Sequence, residues 1–302
     1  MSKKGSVKKS IKQVDASLHE PINRDVPPTI YGTNLKPELA SAALNLSVDF
    51  LKQQQALANH FLVCHPKTIA FVLLGSFIYL VPNVNLPRNT RSVISFAIQF
   101  VLMNRVQLLT CGVVVAIVAS VLFTLLSKFT DSFFKEKINQ VIDSDGSVLF
   151  DCKLTELAGG IVKDKKKLQN TQIILYRETP IALVSVLANS GVSDNDSLVM
   201  GVSTIGCRRV YAKSGIVEDL LDWAVIRTKN IQSEGSNDTS NSMKLLVEVY
   251  SFDNNVKDVL KKKGYSLVKS CNLSESKLLG GLFGVQKELW GVQFHYDAKK
   301  QK

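Results

Sequence analysis

The sequence predicts an α/β protein with a mixed sheet, joined to a two-helix transmembrane hairpin. Two observations carry the membrane part. Between Lys67 and Lys128 the only charged residues are Arg88, Arg91 and Arg105. Residues 68–87 and 106–127 are each uncharged, and each has about the 20 residues that a helix needs to cross a hydrocarbon core. A third observation carries the sheet. From Ser147 onward, short apolar β-branched runs alternate with two amphipathic helical stretches.

Composition narrows the class. The chain has 302 residues, a formal charge of +11 and 45% hydrophobic residues, enough for one globular domain beside an anchor. The basic excess sits in two tails and in short clusters such as Lys165-Lys166-Lys167 and Lys261-Lys262-Lys263. There is no interleaving of basic and aromatic residues and no zinc-finger spacing, so nucleic acid is not expected as a partner. Basic residues flanking an apolar hairpin suit an anionic bilayer surface. Cys64, Cys111, Cys152, Cys207 and Cys271 form no CxxC pair, and the four histidines add no metal-ligand pattern. No metal is expected, and unpatterned cysteines suggest reduced thiols facing the cytosol. No charged n-region with an apolar h-region opens the chain, so the first span is expected to direct its own insertion.

In chain order, residues 1–28 read as a disordered basic tail. Residues 29–60 hold a turn or docking strand at Pro27 to Gly32, then an amphipathic helix over 37–59. Leu39, Ala42, Leu46, Val48, Leu51, Ala56 and Leu57 lie on roughly one face of that helix, and Pro37 suits its first turn. The hairpin occupies 66–128. Its second span is apolar on every side; its first leaves the core near Pro82. Residues 92–104 are also apolar but too short to span, and are expected as an interfacial or re-entrant helix or as an extension of the second span. Residues 129–146 continue as an amphipathic helix with Phe133, Phe134, Ile138, Val141 and Ile142 on its apolar side, stopped by Asp143 to Gly146.

Residues 147–296 read as a folded cytosolic domain, followed by a basic tail at 297–302. The first strand is expected at 147–154, and 159–170 as a basic connection. Strands at 172–176 and 181–187 form a hairpin turning at Glu178-Thr179-Pro180. After a polar loop at 189–196, a fourth strand at 197–205 carries glycines that permit a bulge or splay. A helix follows at 214–230, capped by Ser214, with Glu218 and Asp219 suited to its positive end. A loop at 233–242, a strand at 244–250, a helix capped by Asp253 or Asn254 and ending at Gly264, and strands at 265–271 and 283–296 complete the domain.

This order resembles the GCN5-related N-acetyltransferase fold. In that family the turn before the long helix reads Arg/Gln-x-x-Gly-x-Gly/Ala and holds the coenzyme A pyrophosphate on backbone N–H groups. The corresponding stretch here is Val210-Tyr211-Ala212-Lys213-Ser214-Gly215-Ile216-Val217. If coenzyme A is bound, the resemblance implies Ser214, Gly215 and Ile216 as its residues. Ala212 replaces the Arg/Gln, Val217 replaces the last small residue and is expected to crowd a pyrophosphate, and Glu218 and Asp219 add negative charge. Leu260 stands where the family carries its tyrosine general acid, between Asp253 and Gly264-Tyr265, and a leucine donates no proton. The implied reading is a degenerate, non-catalytic copy with no cofactor; the alternative is a membrane-bound acetyl-CoA-dependent N-acetyltransferase.

Membrane-bound members of that superfamily place a hydrophobic hairpin between the first helix and the strands. The 37–59 helix, the hairpin and the strands follow that order here, and Val292 to Tyr296 is similar to their last strand. The fold class is then α/β, a transmembrane hairpin inserted in an acetyltransferase-like mixed-sheet domain. Asp25-Val26-Pro27-Pro28-Thr29-Ile30-Tyr31-Gly32 and Leu35 to Ala40, with the two spans and the altered domain, resemble one fungal family. Its members are endoplasmic-reticulum membrane proteins that help package the inorganic phosphate transporter for export. That resemblance implies a non-enzymatic factor with a polytopic phosphate transporter as client and both termini cytosolic. Lys299 and Lys300 then resemble a dilysine retrieval signal read by vesicle-coat machinery. Two spans without an intramembrane acidic or basic residue offer poor material for an ion pathway of the chain's own. Gly112, Ala116, Ala119 and Ser120 give the second span a small-residue surface for other helices.

Overall fold

The computed structural model describes residues 29–87, 92–161, 164–189, 197–235 and 242–295. The expected basic tails, the Arg88–Arg91 stretch, most of the 189–196 and 233–242 loops, and Lys299 and Lys300 lie outside the described residues. The chain divides into two compact units, Met1–Gln54 with Phe134–Lys302, and Gln55–Phe133.

The strands are β1 (Ile30–Asn34), β2 (Thr171–Tyr176), β3 (Thr179–Ala188), β4 (Ser197–Cys207), β5 (Ser242–Tyr250), β6 (Ser266–Asn272) and β7 (Gln286–His295). The helices are α1 (Ala40–Cys64), α2 (Pro66–Asn83), α3 (Val93–Met103), α4 (Arg105–Asp143), α5 (Ser147–Phe150), α6 (Leu154–Ala158), α7 (Lys165–Leu168), α8 (Ile216–Gly235) and α9 (Asn254–Lys262).

In the first unit all seven strands form one mixed sheet in the order β1-β2-β3-β4-β5-β7-β6. Only β4 and β5 run parallel, and α8 supplies the crossover that a parallel pair needs. Their pairing covers Ser197 to Val202 against Ser242 to Val247, and β4 then continues to Cys207 without β5 beside it. The glycine-bearing fourth strand therefore splays, as its sequence permits.

Each face of the sheet buries its own core. On one face Ile174, Val184, Met200, Leu245 and Val247 pack with Ile216, Leu220, Leu221 and Ala224 of α8 and Leu260 of α9. On the other, Ile173, Leu175 and Leu183 pack with Ala40, Ala43, Leu44, Leu46 and Phe50 of α1, with Phe150, Leu154 and Leu157 of the short helices, and with Val141. Ile173 and Ile174 go to opposite faces because successive strand side chains alternate. The α1 packing is close. A Cβ at Gly206 would lie 2.7 Å from the Phe50 ring, and Gln53 donates from Nε2 to the Cys207 carbonyl at 3.2 Å. The amphipathic helix before the hairpin thus lies against the strands that follow it.

Three expectations are corrected. Residues 147–154 form no strand. Gly146 (φ +73°) and Asp151 (φ +55°) bracket one helical turn, α5, and the Asp145 carboxylate receives the Thr155 amide (2.7 Å) and hydroxyl to start α6. The extra strand of the sheet is β1 instead, paired antiparallel with β2 across the hairpin insertion. The β2–β3 turn is made by Arg177 (φ +48°) and Glu178 (φ +63°), and Thr179 and Pro180 already belong to β3. Ser214 caps nothing in α8; its hydroxyl donates to the Tyr211 carbonyl at 2.6 Å, within the turn before the helix.

The second unit contains α2, α3, and parts of α1 and α4. Among the described residues, α2 and α4 are the two helices long and apolar enough to cross a membrane. Only 6% of each apolar window is buried within the protein, the reverse of a core helix in a soluble domain. They touch at Gly75 and Val118 and through Tyr79 Oη to Thr110 Oγ1 at 3.1 Å. α3 is a separate short helix. At its end Asn104 is fully buried, accepts from the Asn85 amide (2.8 Å), and donates to the Asn85 and Phe100 carbonyls (2.8 and 2.9 Å). This staple ties the segment after α2 to the junction of α3 and α4. At Gly112 of the small-residue surface, an added Cβ would meet nothing within 4 Å.

Candidate functional site

The site to which the sequence points is the turn between β4 and α8, with α9 beside it. β4 ends at Cys207, whose thiol burial pushes up to about 11, so it is no nucleophile near neutral pH. A tight turn at Arg209–Tyr211 follows, and Tyr211 packs edge-on to Tyr176 at 6.1 Å. The chain then reaches α8 through Gly215, whose φ of +82° favours glycine.

The three candidate residues differ in what they present. Ser214 is exposed, with its hydroxyl engaged by Tyr211. Gly215 has open space where a side chain would stand. Ile216 turns its side chain into the α8 core, leaving only its backbone at the helix start. Val217 is likewise packed against that core.

The electrostatics of this helix end oppose an anion. Glu218 and Asp219 occupy the first turn, where carboxylates satisfy the positive helix end themselves. Glu218 is held by Lys262 at 3.0 Å and Asp222 by Lys263 at 2.6 Å, so α9 is tied across the acidic side of α8. The Asp222 hydrogen bond raises the Lys263 ammonium above its ordinary value.

At the general-acid position Leu260 is 0% exposed and belongs to the sheet core. Asp253 is spent on structure: its carboxylate accepts from the Val256 amide at 3.2 Å and caps α9. Burial raises its pKa, and the amide bond and Lys257 pull the other way. Tyr265 follows Gly264, whose φ is +81°, at the end of α9. Its hydroxyl is buried with no hydrogen-bond partner among the described residues, and burial holds it far above the ordinary phenol range. No group of three or more His, Cys, Asp or Glu arranged for a metal occurs among the described residues.

A second cluster was invisible in the sequence. Glu275 accepts from Lys137 of α4 (2.9 Å) and from Lys287 of β7 (3.2 Å), and Lys287 also meets Glu248 of β5 (2.9 Å). With Phe134 edge-on to Tyr250 at 6.0 Å, it fixes the end of α4 to the sheet.

A family model described as inorganic phosphate transporter chaperone Pho86 matches residues 12–294. Comparison with curated proteins finds no match. Solved structures with a similar fold include an acetyltransferase of the GNAT family from Streptococcus pneumoniae (TM-score 0.36, 11% identity, 88% of this chain and 99% of that one). Another is Arabidopsis thaliana Naa50 in complex with the bisubstrate analogue CoA-Ac-MVNAL (TM-score 0.32, 12% identity, 52% and 92%). A structure from Bacillus anthracis assigned to streptothricin acetyltransferase (TM-score 0.31, 15% identity) matches 42% of this chain and only 63% of its own length. Likenesses at these scores say nothing about chemistry, and the mixed sheet stands on its own strand order and register.

Proposed function

This chain belongs to the inorganic phosphate transporter chaperone family Pho86, and from that premise we propose that it works as a non-enzymatic factor in the endoplasmic-reticulum membrane. Its client is a polytopic inorganic phosphate transporter, whose folding, packaging and exit from the reticulum it supports. The match over residues 12–294 carries this reading. Two further observations favour it. Few residues of the spans are buried within the protein, which suits an anchor that meets other helices in the bilayer. The acetyltransferase-like centre has a core leucine at position 260 and carboxylates at the helix start, an arrangement suited to scaffolding rather than to acyl transfer.

In this reading both termini are cytosolic, α2 and α4 span the bilayer, and Lys299 and Lys300 return the protein to the reticulum through vesicle-coat machinery. The test is deletion of the gene followed by localisation of the transporter. Retention in the reticulum with reduced phosphate uptake is expected, and normal arrival at the plasma membrane contradicts the proposal.

A second reading is residual acyl-coenzyme A binding at Ser214, Gly215 and Ile216, favoured by the open space at Gly215. Titration calorimetry of the purified chain with acetyl-coenzyme A decides between them: no heat of binding is expected, and saturable binding lost on Gly215→Val would establish the second reading.

A further inference from the structure

β1 is the outer strand of the sheet beyond β2. Its register shows which backbone groups it leaves open. The Arg177 amide donates to the Thr29 carbonyl (3.2 Å) and the Leu35 amide to the Thr171 carbonyl (3.3 Å), so the odd positions bond inward to β2. The N–H and C=O groups of Ile30, Gly32 and Asn34 therefore point away from the sheet. Such an edge accepts a further strand.

Beside this edge lies a groove of about 310 Å³. α8 packs over β3, β4 and β5, Ile174 of β2 is buried in the core beside it, and β1 stays largely exposed. Ile30, Gly32 and Ile174 line the floor together with Gln172, whose side-chain amide lies over Gly32, and Trp223 and Ile226 form the wall. Ile30 is 63% exposed and Ile226 55%, so apolar surface stands open. The rim is acidic. Asp222 shares its carboxylate with Lys263, whereas Asp219 is exposed and makes no ion pair among the described residues. In a chain of formal charge +11, this is a locally acidic, strand-shaped surface.

We propose that the β1 edge and its groove bind an extended segment of alternating apolar and basic residues by strand addition. Main-chain bonds form to Ile30, Gly32 and Asn34, apolar side chains enter the groove, and a lysine or arginine meets Asp219. The occupant is a short cytosolic loop of the client, since cytosolic loops of polytopic membrane proteins carry an excess of lysine and arginine. The identity of the occupant rests on the chaperone reading; the groove's preference for such a segment does not.

The experiment uses the full chain in detergent micelles and a fluorescent decapeptide of alternating valine and lysine, followed by anisotropy. Saturable binding is expected that weakens with added salt. It falls about tenfold in Asp219→Lys, roughly the loss of one charge contact of 1.4 kcal/mol. It falls similarly in Ile30→Pro, which removes an outward N–H at the first residue of an edge strand, where proline is tolerated. Asp219→Lys is a surface change, so it keeps the test open if Ile30→Pro unfolds. Equal binding of a valine–glutamate decapeptide, or unchanged affinity in both variants, overturns the proposal. So does a dimer of the free chain that Ile30→Pro abolishes, which would make a second copy the occupant. Transporter retention in cells separates the two readings. Retention after deletion but not in Asp219→Lys removes the groove alone, whereas normal export after deletion removes the chaperone reading and leaves peptide binding standing.

Discussion

Replacing Gly206 with alanine probes the contact by which α1 holds the sheet. The new Cβ would lie 2.7, 2.8 and 2.9 Å from three atoms of the Phe50 ring, one of them the ring carbon bonded to its own Cβ. Real Cβ contacts do not approach so closely, and the ring is anchored at that end, so the helix or the strand must move. Overpacking of this kind costs about 1–3 kcal/mol. Alanine for glycine in a strand of ordinary φ returns about 0.5–1 kcal/mol by restricting the unfolded chain. The net expectation is a loss of roughly 0–2.5 kcal/mol by these two figures. Denaturant unfolding of the full chain in micelles measures it, because the two tryptophans of the chain, Trp223 and Trp290, both report on the sheet domain. Adding Phe50→Leu to Gly206→Ala makes room at the contact, so the pair should show a coupling of about 1 kcal/mol, within the range for touching residues. A Gly206→Ala protein more stable than the parent, or one that shows no coupling with Phe50→Leu, would refute the packing of α1 on β4.

Two other perturbations test separate parts of the molecule. In Asn104→Leu, the Asn85 amide and carbonyl lose their side-chain partner. A loss of about 0.5–1.5 kcal/mol is expected in the hairpin, read as at least roughly twofold faster deuterium exchange at the Asn85 amide; unchanged exchange would show that the staple carries no weight. The Glu275 carboxyl is held below its ordinary value by hydrogen bonds and charge from Lys137 and Lys287, so its contribution is present above about pH 4.5 and is lost as the pH falls through the depressed value. Glu275→Gln should therefore lower thermal stability slightly at pH 7, since the side chain is 48% exposed, and flatten the decline of Tm between pH 5 and acid; parallel Tm profiles for the two proteins would contradict the role of the cluster.

What the chain disclosed in one dimension was whatever depends on local pattern. The two spans declare themselves by length without charge, and β2, β3, β5, α8 and α9 by short apolar runs, periodicity and caps such as Asp253. The misreadings arise where short-range signals are ambiguous. Val148-Leu149-Phe150 is an apolar run that fits a strand or a helical turn equally well, and Gly146 and Asp151 decide by adopting positive φ. Arg177 and Glu178 form a turn of two left-handed residues without the glycine or asparagine that marks one. The stretch leading into β1 was legible as a turn or docking strand, but not its pairing, because its partner β2 lies more than a hundred residues away, across the hairpin. At the candidate site, Leu260 and the Gly215 turn were legible from the resemblance. The orphaned Tyr265 hydroxyl, the Lys137–Glu275–Lys287 cluster and the groove beside β1 arise only from long-range packing, which no window of sequence contains.

The central claim is that this chain serves a transporter and performs no acyl transfer. Its most direct test is the location of the phosphate transporter in cells lacking the chain, compared after return of the wild-type protein and of a Leu260→Ala, Gly215→Val double variant made at low expression temperature. The account predicts transporter held in the reticulum without the chain, and export restored by wild type and by any folded form of the double variant. Export that proceeds without the chain, or that wild type restores and a folded double variant does not, would contradict it.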